Sequence, residues 1–163
     1  MELRAATVDD YDAYARLVPE LGVDEPLPSR TRFADELLGR ALVAVDAGTV
    51  VGYALFEVLS DVGYVRNVVS APARRRSGIG LAIMRGLHAR FVAAGATAWC
   101  LNVKPDNTAA IALYERCGLR TAYRSCALRL PRARELPSPP SDVSLVPVPA
   151  DADAMVEPAF GLL

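Results

Sequence analysis

Residues 74–80 combine positive charge with glycine in a pattern that can bind an anion. Three arginines end at Arg76, and Ser77-Gly78-Ile79-Gly80 follows directly before a stretch with helical periodicity. Neither glycine carries a Cβ atom, so a ligand can approach the backbone closely at both positions. The first turn of a helix adds unpaired N–H groups and a partial positive charge. The pattern therefore predicts an anion site at the start of this helix, of the kind that binds phosphate.

A second group of reactive residues lies on a helix predicted over residues 108–117. Asn107 is a good N-cap for this helix, and Gly118 ends it. Tyr114 follows Asn107 by about two helical turns, so both residues lie on one face. Helical side chains lean toward the N-terminus of their helix. The phenol of Tyr114 is therefore expected to point back toward the end of the helix that carries Asn107.

These two groups need a sheet to position them. The sequence predicts strands over 3–6, 41–45, 50–59, 64–70, 98–103 and 119–130, the last being one long strand or two short ones, and helices over 9–21, 29–39, 78–94 and 108–117. Consecutive strands with short links imply an antiparallel meander. A connecting helix makes the strands over 64–70 and 98–103 parallel. We therefore predict an α/β (α+β) fold with a mixed, mostly antiparallel sheet of six or seven strands and about four helices.

The helix over 78–94 has one apolar face, on which a large side chain recurs every four residues from Ile79 to Phe91. This face is expected to pack on the sheet. His88 lies at the margin of the face, and we interpret it as a half-exposed structural residue.

Composition limits the class of protein. The chain is 52% hydrophobic and 23% charged, which is ordinary for a globular domain. No apolar run approaches the roughly 20 residues that span a bilayer, and no signal pattern begins the chain, so we expect a cytoplasmic protein. The three cysteines show no CxxC spacing and are expected to be reduced and buried. With a single histidine, a histidine-rich metal site is excluded, and no metal is expected.

Charge is unevenly distributed along the chain. Residues 1–61 carry 12 acidic and 5 basic side chains, whereas residues 62–136 carry 3 acidic and 13 basic ones. This asymmetry suits a protein that binds a polyanion on one side and a cation on the other. The alternative interpretation is a chance distribution of solvated charges.

Residues 131–142 are rich in proline and predict a linker that ends a domain over 1–130. Beyond the linker, residues 143–155 loosely repeat residues 1–13, with Leu145 in the place of Leu3 and Asp151 in the place of Asp9. Residues 143–163 are therefore either a closing strand or the start of a truncated second unit.

Two blocks of residues resemble the GCN5-related N-acetyltransferase (GNAT) family. Arg75-Arg76-Ser77-Gly78-Ile79-Gly80 matches the Q/R-x-x-G-x-G/A motif of that family, and Asn107 to Leu119 is similar to its N-x-x-A-x-x-L-Y-E-x-x-G-F helix, with Leu119 where Phe is usual. The resemblance covers roughly residues 3–130. It implies the GNAT fold, in which a parallel strand pair splays, and acetyl-coenzyme A as co-substrate. It also makes the chain a candidate N-terminal unit of a tandem GNAT protein.

The resemblance implies a role for each matching residue. The residues expected to bind the cofactor are Val68, Val69, Ser70, Arg75, Arg76, Ser77, Gly78, Ile79, Gly80, Asn107 and Tyr114. Of these, the amides from Arg75 to Gly80 would bind the pyrophosphate, and residues 68–70 would lie along the pantetheine, with Ser70 in place of the usual Val. Asn107 would bind cofactor through its amide, and Tyr114 would be the general acid that protonates the leaving thiolate.

The general base is less clearly marked. Some members of the family use a Glu on the strand before the Asn107 helix, and this chain has Asn102 there, which could hold a water molecule. Arg66 and Asn67 occupy positions where acids are common on the preceding strand. By topology, Glu57 and Asp61 are the nearest acidic candidates for the base; otherwise water serves, or the amine arrives deprotonated.

Other anion-binding motifs fit less well. A dinucleotide-binding G-x-G-x-x-G lacks its third glycine, since Ile83 stands there, and no Walker Gly-Lys-Ser/Thr is present. No aromatic-rich basic stripe suggests nucleic acid, and no membrane contact is expected. We expect transfer of an acetyl group to a small-molecule or peptide amine. A non-catalytic acyl-coenzyme A-binding or partner module is the alternative, and a homodimer is left open.

Overall fold

A computed structural model describes residues 1–23 and 26–125 of the chain, together with Asp142. The strands and helices are β1 (Glu2–Ala5), α1 (Tyr11–Leu17), α2 (Arg30–Arg32), β2 (Ala41–Asp46), β3 (Thr49–Leu59), β4 (Val62–Ser70), α3 (Ile79–Ala93), β5 (Ala98–Leu101) and α4 (Thr108–Arg116). Short 3-10 turns at Val8–Asp10 and Val18–Leu21 flank α1, another at Pro72–Arg74 precedes α3, and α2 continues as a π turn over Phe33–Leu37 and a 3-10 turn over Leu38–Arg40. All of these elements lie in the first of two units into which the chain divides, Met1–Tyr123 and Arg124–Leu163.

The strands form one mixed sheet in the order β1-β2-β3-β4-β5. Neighbours from β1 to β4 are antiparallel, and β4 and β5 are parallel. The physical reasons are those used for the prediction: links of two residues can only reverse the chain between β2, β3 and β4, whereas a helix carries the chain back between β4 and β5. The predicted fold class and the mixed sheet are therefore confirmed.

The expected number of strands is wrong for the described part of the chain, which contains five strands instead of six or seven. Residues 119–125 form no strand. A strand needs a hydrogen-bonded neighbour, and residues 120–125 are exposed, without a pairing partner among the described residues. The predicted strand over 126–130 and, apart from Asp142, the linker and the segment over 143–163 lie outside the described residues.

The sheet buries a separate apolar cluster on each face. On one face, Ile83, Leu87 and Phe91 of α3 pack against Leu42 and Val65 of the sheet. The apolar face predicted for this helix is confirmed, because each of these helical side chains is at most 2% exposed. On the other face, α1 and the π turn that follows α2 supply a second cluster that the sheet completes; its largest side chains are Tyr14, Leu17, Phe33 and Tyr53. The two clusters fix the sheet between α1 and this π turn on one side and α3 on the other.

Helix α3 approaches the sheet so closely that two strand positions require glycine. A Cβ atom on Gly63 would lie 2.4 Å from Cγ of Phe91. A Cβ atom on Gly52 would lie 2.7 Å from the carbonyl oxygen of Val69 and 2.9 Å from Cγ2 of Ile79. The first turn of α3 is therefore held directly against the start of β3 and the end of β4, and its last turn against the start of β4.

A buried carboxylate joins β1 to the turn before α1. Asp10 is 6% exposed, and it accepts hydrogen bonds from two nitrogens of Arg4, at 2.7 and 2.8 Å, and from the backbone N–H of Thr7, at 2.7 Å. The Arg4 guanidinium is the main reason that the pKa of Asp10 falls to about 2. By accepting from the backbone N–H of Thr7, Asp10 acts as the acidic residue of a capping box at the start of this turn.

We predict that Asp10→Asn lowers the free energy of unfolding at pH 7 by about 2–3 kcal/mol, because it removes a charge-assisted pair that ionised Asp10 makes only in the folded state. A depressed pKa contributes stability above the pKa of the unfolded chain, near 4, and this contribution is lost as the pH falls through about 2. The difference in free energy of unfolding between variant and wild type, measured by urea unfolding, should therefore shrink as the pH falls from 4 to 2. Asp9→Asn, at an exposed position of the same turn, is the control; an equal effect there would contradict the role of Asp10.

Candidate functional site

Strands β4 and β5 pair along only half of β4. Their register runs from Val62 opposite Ala98 to Val65 opposite Leu101, where β5 ends. Strand β4 continues to Ser70. Residues 66–70 therefore have β3 on one side and, among the described residues, no strand on the other.

A bulge lies at the point where this pairing stops. On β3, Leu55 is opposite Asn67 and the next residue, Phe56, is opposite Val65, which leaves Arg66 as the extra residue of β4. A bulge bends its strand and increases the local twist. The bulge therefore coincides with the place where β4 stops pairing with β5, and the unpaired edge beyond it is the gap between the two strands.

The open edge of β4 presents main-chain hydrogen-bonding groups. The N–H of Ala71 donates to the carbonyl oxygen of Val51 at 2.8 Å, so Ala71 faces β3. Hydrogen-bonding direction alternates along an antiparallel strand. The N–H and C=O groups of Ser70 and Val68 consequently face the gap, and those of Val69 face β3. An extended ligand could pair with this edge as an added strand would.

The start of α3 presents a row of unpaired amides beside this edge. Within the described residues, no backbone carbonyl or side chain accepts from the N–H groups of residues 76–81. The first helical bond that reaches back across the start of α3 runs from the N–H of Ala82 to the carbonyl oxygen of Gly78, at 3.0 Å. Free N–H groups and the positive end of the helix dipole are the features that favour an anion at the start of a helix.

Two residues of this turn have left-handed backbone conformations. Gly78 has φ +85°, and Arg76, a residue with a side chain, has φ +64°. A non-glycine residue in this region costs roughly 1–2 kcal/mol. Strain of this kind is common where the backbone is shaped for a ligand. A Cβ atom at Gly78 would meet no other atom within 4 Å, so the space in front of this glycine is open.

The three arginines before α3 differ in their partners. Arg74 binds the carboxylate of Asp46, and Arg75 binds Glu20 at 2.6 Å. These pairs fasten the loop to β2 and to the turn after α1. Arg76 forms no ion pair or hydrogen bond through its side chain within the part of the chain that the structure describes. Arg76 is thus the arginine whose charge is available to an anion at the free amides.

Helix α4 packs against the first turn of α3. The side chain of Asn107 caps α4 by accepting from the N–H of Ala110 at 3.2 Å. A Cβ atom on Gly80 would lie 2.9 Å from Cδ2 of Leu113 and 4.0 Å from Oγ of Ser70. Gly80 thus lets α4, the start of α3 and the end of β4 meet at one point.

Tyr114, the next residue after Leu113, is half-buried and packs against the same core cluster as Val68, Ile79 and Leu101. Burial raises the pKa of its phenol above the usual value of 10. The hydroxyl donates to no group among the described residues, and it is not a buried unsatisfied atom. At neutral pH the phenol is therefore protonated, and its oxygen is not fully enclosed by the described residues.

The opposite face of the sheet carries a polar group beside the gap. Nδ2 of Asn102 donates to the hydroxyl of Tyr64 at 3.0 Å. Glu57, which is opposite Tyr64 on β3, accepts from Arg40 at 2.9 Å and from Arg66 at 3.0 Å through one oxygen. The Arg66 guanidinium, followed by Arg40, holds the pKa of Glu57 below its usual value.

The structure brings part of the predicted site together. Residues 68–70 form the open edge of β4, and Gly80, at the start of α3, lies close to Ser70 and Leu113. Tyr114 follows Leu113 on α4, Asn107 caps the start of that helix, and Asn102 follows the last residue of β5. Asp61 instead lies in the turn before β4, at the opposite end of that strand from Ser70, and accepts from Thr97 Oγ1 at 2.7 Å. Sequence reasoning missed Tyr64, whose only signal was its position on the polar side of a strand with period-two alternation.

No helix among residues 1–23 and 26–125 is long and apolar enough to span a membrane. Within the same residues, no cluster of three or more His, Cys, Asp or Glu side chains is arranged to hold a metal ion.

The model of the acetyltransferase (GNAT) family matches residues 8–119. No curated protein matches the sequence significantly. The matched residues include the open edge of β4, the loop before α3 and the whole of α4.

Solved structures share the fold. A variant of the BH1408 protein from Bacillus halodurans is 28% identical, with a TM-score of 0.66 over 80% of this chain and 99% of that one. A ribosomal-protein-alanine N-acetyltransferase from Brucella melitensis is 20% identical, with a TM-score of 0.66 over 80% of this chain and 100% of that one. The aminoglycoside acetyltransferase AAC(6')-Iy, solved with the bisubstrate analogue CoA-S-monomethyl-acetylneamine, is 15% identical, with a TM-score of 0.68 over 80% of this chain and 97% of that one.

The free amides at the start of α3 predict that Gly78→Val weakens the binding of inorganic pyrophosphate by about tenfold or more, because a branched side chain would occupy the open approach and strain the loop. Isothermal titration calorimetry measures the affinity. Gly95→Val is the matched control, since Gly95 has φ +79° and open space in front of it but lies at the other end of α3. Equal losses in both variants would show that strain alone is responsible.

Proposed function

The chain belongs to the GNAT acetyltransferase family, and from that premise we propose that it transfers an acetyl group from acetyl-coenzyme A directly to a primary amine. The observation that carries the proposal is the row of unpaired amides over residues 76–81 beside the free edge of β4. The amides of residues 76–81 suit a diphosphate, and the free edge of β4 suits an extended chain of amides. Coenzyme A joins a diphosphate to such a chain.

The residues present fit this substrate. The amides of residues 76–81 and the guanidinium of Arg76 would bind the pyrophosphate. The N–H and C=O groups of Val68 and Ser70 would pair with the pantetheine amides, so Ser in place of the usual Val at position 70 would be a small change. With the phosphates at α3, the thioester would reach the bottom of the gap near Arg66, where pairing with β5 begins. Asn107 would add a side-chain contact at the start of α4.

The proposed chemistry needs one acid and one route for a proton. The lone pair of the amine attacks the thioester carbonyl carbon, and the carbon–sulfur bond breaks as the C–N bond forms. Tyr114 gives its phenolic proton to the leaving sulfur. The raised pKa of Tyr114 keeps this proton in place at neutral pH. The nitrogen loses its extra proton to water, and solvent then restores the phenol.

For the base we favour water held at Asn102 over direct proton transfer to Glu57. The Glu57 carboxylate is engaged by two guanidiniums, and its lowered pKa makes it a weak proton acceptor. Asn102 donates to Tyr64 through Nδ2, and this leaves its carbonyl oxygen able to accept from a water molecule. The acceptor would approach on this face of the sheet.

The acceptor is proposed as a small-molecule or peptide amine. Two structures with the same fold act, by their names, on an aminoglycoside and on the alanine of a ribosomal protein. A panel of amines with mass-spectrometric detection of acetylated product, together with thiol release from acetyl-coenzyme A, tests this proposal.

A second candidate function is a module that binds acyl-coenzyme A without turnover. The amide at Asn102 and the double ion pair of Glu57 favour it, because neither presents a free carboxylate on the acceptor face. Calorimetric binding of acetyl-coenzyme A without thiol release over the whole amine panel would support this candidate against catalysis.

We predict that Tyr114→Phe lowers kcat by about a hundredfold and changes the Kd of acetyl-coenzyme A by less than about twofold, because the hydroxyl acts only as the thiolate leaves. Steady-state thiol release and calorimetry measure the two quantities. Tyr123→Phe, at a side chain that is 76% exposed, is the control. Equal loss of turnover and binding, or loss of neither, would contradict the assigned role.

We also predict that Asn102→Ala lowers kcat more than Glu57→Gln does, and that the latter costs less than about tenfold at pH 7, because Glu57 is not the proton acceptor. The pH dependence of kcat should keep its acidic limb in Glu57→Gln. Loss of that limb together with a hundredfold fall in kcat would identify Glu57 as the base.

A further inference from the structure

A second cavity lies away from the gap between β4 and β5. It has a volume of ≈ 270 Å³ and is formed where α3, β5 and the C-terminal end of α4 meet. The residues that give it chemical character are Arg85 and His88 from α3, Trp99 from β5, and Arg116 and Cys117 from α4. None of these residues is used in the proposed transfer of an acetyl group.

Two guanidiniums face this cavity without a counter-ion. Arg85 and Arg116 form no ion pair or hydrogen bond through their side chains in the part of the chain that the structure describes. Seven arginines there are paired with carboxylates, whereas Arg76 and Arg90, like Arg85 and Arg116, are not; the paired ones are Arg4, Arg30, Arg32, Arg40, Arg66, Arg74 and Arg75. The charges of Arg85 and Arg116 both act on the thiol of Cys117, so they converge on the same wall. Two like charges converging on one space favour an anion between them.

Aromatic rings supply the rest of the lining. The rings of His88 and Trp99 lie 5.6 Å apart between centroids, tilted by 56°. Trp99 is held in place by a second contact, with its ring centroid 6.1 Å from that of Phe91. A fixed indole beside an imidazole offers a surface for a planar ring. The volume suits a molecule of one or two rings, since a cavity of about 150 Å³ already accepts benzene.

The cavity adjoins the loop that would bind a diphosphate at one residue, Leu81, which ends the row of free amides over residues 76–81. Its other residues on α3 begin at Met84, and its residues on α4, Arg116 and Cys117, follow Leu113. Leu113 packs on Gly80, so the charged part of the cavity lies farther along α4 than the contact with the first turn of α3.

We propose that this cavity is a second ligand site, which binds a planar aromatic molecule bearing a carboxylate or phosphate group. The oxyanion lies between Arg85 and Arg116, and the ring packs against Trp99 and His88. The proposal concerns binding and does not depend on acetyl transfer.

Trp99 makes the proposal directly testable, because it is the only tryptophan of the chain. Titration of the full chain with benzoate or phenyl phosphate should change the tryptophan fluorescence and saturate. Benzamide, which keeps the ring and lacks the charge, and acetate, which lacks the ring, should give no saturable change over the same concentrations. The anion with the lower Kd, benzoate or phenyl phosphate, shows whether the site prefers a carboxylate or a phosphate group. A saturable response to benzamide equal to that of benzoate, or no response to either anion, would overturn the proposal.

Substitutions then locate the site. Arg85→Gln and Arg116→Gln should each weaken the binding of the responding anion at least tenfold. Both side chains are exposed, so neither substitution disturbs the core. Arg90→Gln is the matched control, because Arg90 lies on the same helix, outside the cavity, and has no ion pair among the described residues. Wild-type affinity in the first two variants, or an equal loss in Arg90→Gln, would refute the assignment.

A final titration in saturating coenzyme A separates this proposal from the proposed function. An unchanged Kd for the anion supports two separate sites. Competition would instead show that the cavity belongs to the coenzyme A site and would overturn the inference while leaving acetyl transfer intact. Failure of the chain to release thiol from acetyl-coenzyme A would contradict the proposed function and leave the fluorescence result unaffected.

Discussion

Main-chain hydrogen-bonding groups without partners are the constraint on which the candidate site depends. A backbone N–H or C=O group that is removed from water needs another hydrogen-bond partner. Two rows of such groups occur close together, at the edge of β4 beyond Val65 and at the start of α3. A connection of a few residues joins them, so the chain cannot place one row far from the other. A ligand that satisfies both rows must combine an anion with a chain of amides.

The rest of the fold holds these two rows in position. Gly52 lets Ile79 approach the end of β3, and Gly80 lets Leu113 approach the first turn of α3. The ion pairs of Arg74 and Arg75 fasten the loop between the two rows from outside. Packing on both faces keeps the sheet rigid around the gap, so that the unpaired groups are available without local unfolding.

Local patterns were sufficient to predict most of the architecture. Each strand and helix of the described residues was expected at nearly its observed position, because alternation and helical periodicity reflect burial on one face. The loop before α3 could be picked out from the sequence because its glycines and arginines are consecutive; that it binds an anion stays a prediction. The predicted strand over 119–130 was wrong in its described part, residues 119–125, because a strand forms only where a neighbouring strand pairs with it.

What the sequence by itself determined was the identity of the elements and the loop chemistry within each of them, because both depend on residues close together in the chain. What only the tertiary structure decided was how distant side chains meet. The sequence left Glu57 as a candidate base. The structure pairs its carboxylate with Arg40, from the turn before β2, and with Arg66, from the bulge in β4. The cavity around Trp99 likewise draws its charges from two helices. Such contacts depend on register and on helix packing, and no local pattern encodes either.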